Sequence, residues 1–296
     1  MREGVHGRVH HPIAVGEAVR LCAELDAKYL AGGTWVMREI SHGQRAHAYI
    51  ALDAIKDLRT VSITGGPEIS LRIGAGVTHA ELAGALDTPD GRTRFGALQQ
   101  SAAQSAFTQV RNLATIGGNV AVRGFPDADL VPALIALDAQ VELTTLRDGD
   151  TCMPVEELVN SREKQPAETL VTGFRIRSTE FQQSGFARLT IRGGGEYPIA
   201  NAAVVLSRSA SRPSRIVVGS VEKTPVRCVA AEAMPDAEIP DEDLITAISE
   251  RTRLEVMGRE SAEAPGWYRR AVTPTVVARA LRSASRAVET GGDGGN

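Results

Sequence analysis

The spacing of apolar residues predicts an N-terminal half in which helices and strands alternate. Residues 16–26 carry apolar side chains at helical intervals, and a short apolar strand follows at 28–31. Alternating apolar and polar positions predict a hairpin within 61–73. Thr78 stands three residues before Glu81, which is the spacing of a capping box and predicts the start of a helix.

A second group of elements is predicted to begin with an alternating strand at 170–177. We expect this strand to open a second domain and to pair with the apolar stretch at 186–191. Two helices are predicted to close that domain. In the second of them, Thr273 has the features of an N-cap and Pro274 those of the first helical position.

Length and composition fit a globular protein of about two domains. The chain has 296 residues, of which 43% are hydrophobic and 23% charged. The element pattern predicts an α+β N-terminal domain over 1–170 and a smaller α/β C-terminal domain over 171–290. Residues 291–296 are predicted to form a flexible tail.

The charge balance excludes some classes of partner. A net charge of −3 gives no reason to expect nucleic acid or an anionic membrane as a partner. No apolar run approaches the ~20 residues that a membrane-spanning helix needs. The first residues lack the apolar core of an export signal, so we expect a cytoplasmic protein.

Cysteine and histidine positions argue against a metal centre on this chain. Cys22, Cys152 and Cys228 lie far apart, and none belongs to a C-x-x-C motif. Any iron–sulfur cluster must therefore lie on another chain. Cys22 falls on the apolar side of its helix and is predicted to be a buried structural thiol. His79, a lone polar residue in the first turn of a helix, is predicted to be solvated.

Two glycine-rich loops are the strongest candidates for a ligand-binding site in the sequence. The first reads Ala-Gly-Gly-Thr-Trp at 31–35, and the second reads Ala-Thr-Ile-Gly-Gly-Asn at 114–119. Paired glycines let successive backbone N–H groups form an anion-binding nest and let a ligand approach the main chain closely. The neighbouring threonine hydroxyls, with the Asn119 amide, add donors suited to a pyrophosphate. The alternative is that each glycine pair only forms a tight turn.

Other nucleotide-binding and hydrolytic motifs are absent from the sequence. Gly74 and Gly76 match two positions of a G-x-G-x-x-G fingerprint, but Ala80 stands near the third and no parallel βαβ pattern follows. There is no Walker A loop, no H-E-x-x-H motif and no G-x-S-x-G nucleophile elbow.

A resemblance to a known family rests on the ordered set of these loops. Gln-Val-Arg-Asn at 109–112 followed by the second glycine loop resembles the signature of the FAD-binding subunit of the molybdenum hydroxylases. That family includes xanthine dehydrogenase and the medium subunits of bacterial carbon monoxide and N-heterocycle dehydrogenases. The first loop and Ile-Gly-Ala-Gly-Val at 73–77 also resemble family segments. The resemblance implies a two-subdomain FAD-binding domain of the vanillyl-alcohol oxidase (PCMH) type, followed by the smaller domain.

The resemblance also implies a set of FAD contacts. An acidic residue at the position of Asp129 would accept hydrogen bonds from the FAD adenosine, although a family Ala-His-Ala-Asp-Pro run is replaced here by Val-Arg-Gly-Phe-Pro at 122–126. Trp35 would pack against the flavin or only bury its loop. Arg111 would balance the pyrophosphate charge or, as we favour, pin its loop through its guanidinium group. The implied contacts are Ala31, Gly32, Gly33, Thr34, Trp35, Ala114, Thr115, Gly117, Gly118, Asn119, Asp129 and Tyr197.

The function expected from the resemblance is electron transfer within a heterotrimer. A large molybdopterin-binding subunit would hydroxylate the substrate, and a small iron–sulfur subunit would relay the electrons. This chain would pass the electrons through FAD to an external acceptor, because flavin supplies redox chemistry that the residues alone do not. Two alternatives stay open: a self-contained flavin-dependent reductase or oxidase of the same wider fold, and a flavin-less assembly subunit.

Overall fold

Helices and strands of the chain assemble around three β-sheets. The structure is a computed structural model that describes residues 7–66, 68–179, 182–193, 195–207, 213–234 and 240–286. The predicted tail at 291–296, with residues 287–290 before it, lies outside the described residues. No helix in the described part is both long and apolar enough to cross a membrane. The cytoplasmic location stays a prediction.

The first sheet is parallel, with the strand order β1-β3-β2. Its strands are β1 (Arg8–His10), β2 (Lys28–Leu30) and β3 (Ala48–Ala51). Helix α1 (Val15–Glu24) connects β1 to β2, and α2 (Thr34–Ser41) connects β2 to β3. The first glycine loop therefore joins the end of β2 to the start of α2.

Helix α1 packs its apolar face onto this sheet. Ala18, Val19 and Cys22 are buried against Ile50 and its neighbours, as the helical spacing predicts. The Cys22 thiol donates to the carbonyl of Ala27 at 3.1 Å. Its burial confirms the prediction of a structural thiol, and burial also raises its pKa.

The second sheet is antiparallel, with the order β4-β5-β8-β6-β7. It consists of β4 (Val61–Thr64), β5 (Glu68–Gly74), β6 (Gln140–Thr145), β7 (Gly149–Pro154) and β8 (Leu170–Thr179). Strands β4 and β5 form the predicted hairpin.

Seven helices connect and cover the strands of this sheet in the described part of the chain. They are α3 (His79–Ala85), α4 (Pro89–Arg94), α5 (Gly96–Gln104), α6 (Thr108–Arg111), α7 (Ile116–Ala121), α8 (Leu130–Ala136) and α9 (Val155–Ser161). The capping box predicted at the start of α3 is confirmed, since the Thr78 and Glu81 side chains each accept from the other's backbone N–H. Short 3-10 helices lie at Lys56–Arg59 and Arg162–Lys164.

The third sheet forms the C-terminal part of the chain, with the order β12-β11-β10-β9. The sequence alternation in β10 explains its position, because Ala203 and Val205 face the core of the second sheet, whereas Ala202 and Val204 face the C-terminal helices. The elements are β9 (Gln182–Leu189), β10 (Ala200–Ser207), β11 (Arg215–Gly219), β12 (Val226–Arg227), α10 (Val229–Glu232), α11 (Glu242–Thr252) and α12 (Gly266–Arg286).

Two predictions about the C-terminal part are wrong. The strand at 170–177 does not pair with 186–191, since β8 lies between β5 and β6, where Phe174 faces Ile73 and Val141. Alternation shows which face of a strand is apolar but not which sheet it joins. The division of the chain into domains stays a prediction, and this pairing favours a boundary between β8 and β9.

The second wrong prediction concerns the start of α12. Pro274 lies inside the helix and Thr273 is not its N-cap. A proline lacks the N–H that an interior helical position donates. The Thr273 hydroxyl instead donates to the carbonyl of Arg269 at 2.9 Å, inside the helix. The cap-like dipeptide therefore marks an interior position of a longer helix.

Candidate functional site

One cavity of about 1140 Å³ lies where the first sheet, the second sheet and the loop before β10 meet. Ligand pockets typically measure about 300–1,000 Å³, so this volume suits a ligand as large as a dinucleotide. All the residues that the resemblance implied as FAD contacts line this one cavity: Ala31, Gly32, Gly33, Thr34, Trp35, Ala114, Thr115, Gly117, Gly118, Asn119, Asp129 and Tyr197. The structure thus brings together residues up to 166 positions apart, while their contacts with FAD stay a prediction.

The first glycine loop offers unused backbone donors. Gly33 has a left-handed backbone, with φ of 72°, and is the N-cap of α2. Helix N-termini leave their first N–H groups without partners inside the helix and favour negative charge. In the described part of the chain, the N–H groups of Thr34 and Trp35 have no protein acceptor. The loop therefore has the features of an anion-binding turn, and its contact with an anion stays a prediction.

The second glycine loop is built differently from the nest we predicted. The Thr115 hydroxyl caps α7 by accepting from the N–H of Gly118 at 3.1 Å. The N–H groups of Ile116 and Gly117 donate to the carbonyls of Val77 and Ala75, at 3.0 and 2.9 Å. These donors are consumed within the protein, so the prediction of an anion-binding nest here is wrong. The loop instead fixes the start of α7 against the turn after β5.

Glycine is required in both loops because atoms from elsewhere in the chain come very close. A Cβ atom on Gly32 would lie 1.8 Å from the carbonyl oxygen of Leu113, in the segment that precedes the second loop. A Cβ atom on Gly117 would lie 2.6 Å from the Cβ atom of Ala75. A Cβ atom on Gly32 would also lie 3.1 Å from the Cα atom of Ala114, the first residue of the second loop, so the two loops are in direct contact, which a tight turn alone would not require.

Two arginines fix the framework behind the second loop. Arg111 donates to the carbonyls of Ser105 and Ala106, at 3.0 and 2.7 Å, and so holds Ala106 in its left-handed conformation. This geometry supports the structural role that we favoured.

Arg162, a buried residue that the sequence did not single out, donates to the carbonyls of Val120 and Val122 at the end of α7. The asparagine of the loop, Asn119, accepts from the N–H of Leu130 at 3.3 Å and joins α7 to α8.

An aromatic cluster lines another part of the cavity. Trp35 packs on Phe125 with ring centroids 4.8 Å apart, and Phe125 packs edge-on against Tyr197 at 5.4 Å. The Arg38 guanidinium lies over both Trp35 and Tyr197 and donates to the Tyr197 hydroxyl. Sequence reasoning missed Phe125 and Arg38. The helical spacing from Trp35 to Arg38, one turn apart, is the signal that could have identified Arg38.

The acidic turn before α8 is buried, and its carboxylates are paired. Asp129 is 5% exposed, and its carboxylate lies 3.3 Å from the Arg188 guanidinium and accepts from the Asn201 amide at 3.1 Å. Burial raises the pKa of Asp129 to about 6, although Arg188 opposes the shift. Asp127 pairs with Arg259. Both carboxylates thus bind the C-terminal part of the chain.

His79 is buried rather than solvated, so that prediction is wrong. Only 2% of its surface is exposed, and its Nδ1 atom lies 2.7 Å from the Ser105 hydroxyl. Burial lowers its pKa to about 4, so the ring is neutral at pH 7. The helix start at Thr78 was predicted correctly, but the packing of α3 against α5, which buries the ring, depends on contacts distant in sequence.

Comparison with known proteins supplies the family. The family described as the FAD binding domain in molybdopterin dehydrogenase matches residues 5–177. A putative xanthine dehydrogenase FAD-binding subunit from Escherichia coli (strain K12) is 26% identical, over 93% of this chain and 94% of the relative. The carbon monoxide dehydrogenase medium chain of Hydrogenophaga pseudoflava is 28% identical, over 93% of this chain and 96% of that one.

Solved structures agree with this relationship. A structure of carbon monoxide dehydrogenase from Hydrogenophaga pseudoflava superposes with a TM-score of 0.83 at 26% identity, covering 95% of this chain and 98% of the other. Quinoline 2-oxidoreductase from Pseudomonas putida 86 has a TM-score of 0.81 at 20% identity, a likeness of fold. The α+β architecture expected from the sequence is confirmed. The chain belongs to the family of FAD-binding domains found in molybdopterin dehydrogenases.

Proposed function

We propose that this chain is the FAD-binding electron-transfer subunit of a molybdenum-containing dehydrogenase or hydroxylase. It receives electrons from iron–sulfur clusters on a partner chain and passes them through FAD to an external acceptor. The observation that carries the proposal is the convergence of both family glycine loops on one cavity of about 1140 Å³. FAD supplies the redox chemistry when bound, and the chain supplies binding and orientation.

The residues around the cavity fit FAD. The N–H groups of Thr34 and Trp35, which have no acceptor among the described residues, suit the negatively charged diphosphate. Gly32 keeps the cavity wall free of side chains where the two loops meet, and Gly117 does so where the second loop lies against Ala75. The aromatic rings of Trp35, Phe125 and Tyr197 offer apolar surface beside these polar groups. A site that combines a few placed donors with apolar walls is typical of cofactor pockets.

The names of the relatives support a heteromeric assembly. They are described as an FAD-binding subunit and as a medium chain, terms for parts of larger enzymes. The partners of this chain are a large molybdopterin-binding subunit and a small iron–sulfur subunit. The large subunit then recognises the substrate, and this chain reoxidises the enzyme complex by passing its electrons to the external acceptor.

The first test is a visible spectrum of the purified full chain after incubation with FAD. The released cofactor is identified by chromatography. A flavin band that yields FAD at about one per chain supports the proposal. A chain that takes up no FAD overturns it and leaves the flavin-less assembly subunit as the better description. Bleaching of the bound flavin by an organic substrate without partner subunits would indicate the self-contained enzyme instead.

A matched pair of glycine variants shows whether FAD occupies this cavity. Valine at Gly33 cannot easily keep the left-handed backbone that orients the start of α2, so Gly33→Val should weaken FAD binding at least about tenfold. Gly149 has a similar φ of 65° in the β6–β7 turn and does not line the cavity. Gly149→Val should therefore bind FAD as the wild-type chain does. Equal loss of affinity in both variants would place the effect on folding rather than on the site.

A further inference from the structure

Residues 195–197 form a wall of the cavity that no regular structure holds in place. They lie in the loop before β10, and all three line the cavity. No backbone–backbone hydrogen bond joins them to another part of the described chain. The ring of Tyr197, at the end of this segment, is 39% exposed, so packing in the core does not fix it. Its place in the cavity therefore depends on side chains that bind the backbone of the loop.

Arg188, near the end of β9, binds this segment without lining the cavity itself. Its guanidinium donates to the carbonyl of Glu196 at 2.6 Å and to the carbonyl of Gln104, the last residue of α5, at 2.7 Å. The same group lies 3.3 Å from the Asp129 carboxylate, and only 9% of the arginine side chain is exposed. One buried guanidinium therefore joins the loop, the end of α5 and the acidic turn before α8.

The loop and the segment after α5 meet backbone to backbone at this point. A Cβ atom on Gly195 would lie 2.3 Å from the backbone nitrogen of Phe107. The segment before Phe107 is itself fixed, because Arg111 donates to two of its carbonyls. Arg188 binds on both sides of the contact, with one hydrogen bond to each backbone. A guanidinium can do this because its donors are spread over a rigid planar fork.

We infer that Arg188 is a positioning residue of the cofactor site, which holds Tyr197 in the cavity wall by tying its loop to the end of α5. The inference rests on the proposed function, since it assumes that FAD fills the cavity. In the position that this tie sets, the Tyr197 ring packs edge-on against Phe125 and its hydroxyl accepts from Arg38. Without the tie, the ring leaves this cluster, and the cavity loses part of its apolar wall.

Arg188→Lys separates the positioning role from charge balance. Lysine keeps a positive charge beside Asp129, so the buried carboxylate is not left unpaired, but its compact ammonium group cannot serve both carbonyls as the fork does. FAD titration of the full chain should show about tenfold weaker binding, the scale of one lost aromatic contact. Arg215→Lys is the matched control and should bind FAD as the wild-type chain does. Arg215 also pairs with a carboxylate, Asp138 at 2.9 Å, and donates to a carbonyl, that of Ile135 at 3.2 Å, but lies outside the cavity.

A double-mutant cycle tests whether Arg188 acts through the Tyr197 ring. In a chain that carries Tyr197→Ala, Arg188→Lys should weaken FAD binding by less than about twofold, because the ring to be positioned is gone. A general loss of structure would weaken binding equally in both backgrounds. A tenfold effect that persists without the ring would therefore overturn the inference. Each variant is first checked for wild-type circular dichroism and melting temperature.

Fluorine-19 NMR of the chain labelled with fluorotyrosine reports on Tyr197 without any cofactor. The chain has four tyrosines, and Tyr197→Phe identifies the signal of this one. Arg188→Lys should shift or broaden that signal and leave the other three in place, whereas Arg215→Lys should change none. An unchanged Tyr197 signal in Arg188→Lys would refute the positioning role whether or not FAD binds.

The FAD titration also separates this inference from the proposed function. Wild-type affinity in Arg188→Lys would refute the role of Arg188 and leave the proposed function intact. A wild-type chain that binds no FAD would overturn both.

Discussion

Replacement of Gly32 by alanine is the sharpest test of how the two glycine loops form one site. The added Cβ atom would lie 1.8 Å from the carbonyl oxygen of Leu113, a distance that no stable contact reaches. The loops must therefore separate by more than about 1 Å, at a position where backbone opposes backbone. Overpacking of this kind costs about 1–3 kcal/mol, and we expect the upper end because no flexible side chain can yield.

Both stability and cofactor binding should report this separation. A loss of about 3 kcal/mol lowers the melting temperature of a chain of this size by roughly 6–12 °C. The displaced loops should also weaken FAD binding by more than about tenfold, measured by titration of the flavin spectrum. The control is Gly16→Ala, since no atom lies within 4 Å of the new Cβ in the exposed face of α1. That variant should instead gain about 0.5–1 kcal/mol from helix propensity.

The Gly32 reasoning also predicts a graded result. A Cβ atom on Gly118 meets only the Thr115 hydroxyl, at 3.0 Å, so Gly118→Ala should be milder than Gly32→Ala. If Gly32→Ala melted and bound FAD like the wild-type chain, the loops would not be in the contact described here.

Two further predictions concern the cavity wall. Burial raises the pKa of Asp129 from 3.8 to about 6, so the folded state holds this proton more tightly than the unfolded state does. The free energy of unfolding should therefore fall by up to about 3 kcal/mol as the pH rises from 4 through 6. Chemical unfolding at several pH values should show this pH dependence weakened in Asp129→Asn and retained in the exposed control Asp148→Asn. Thr115→Val should lower stability by about 1 kcal/mol in the same assay through loss of the α7 cap, whereas Thr115→Ser should retain it.

Local sequence patterns were enough to find the two glycine loops but not to predict the hydrogen bonds that their backbones make. The residues of the first loop follow β2 directly, and sequence alone places them where that strand ends. In the second loop, the N–H groups of Ile116 and Gly117 are taken up by Val77 and Ala75, which lie about 40 positions earlier. The sequence of the second loop does not predict these carbonyl acceptors. The prediction of a nest therefore failed for a reason that only the tertiary structure reveals.

Burial of polar residues was the other feature beyond the reach of sequence. His79 and Asp129 both stand in segments with polar neighbours, which favours solvent exposure. Their burial comes from distant partners, namely Ser105 for the histidine and Arg188 with Asn201 for the aspartate. The strand at 170–177 shows the same limit, because its alternation fits either of two sheets and only the pairing with β5 and β6 decides.

The pairing of Asp129 changes how the cavity wall should be understood. The resemblance implies that this carboxylate accepts from the FAD adenosine; in the structure one oxygen faces Arg188 and the other accepts from Asn201. A buried ion pair that loses one partner leaves an uncompensated charge, so any contact of this carboxylate with a ligand must use the lone pairs that Arg188 and Asn201 leave free. Since Arg188 and Asn201 belong to β9 and β10, the acidic turn joins the C-terminal sheet to α8. The turn therefore shapes the cofactor cavity by holding these two parts of the chain together.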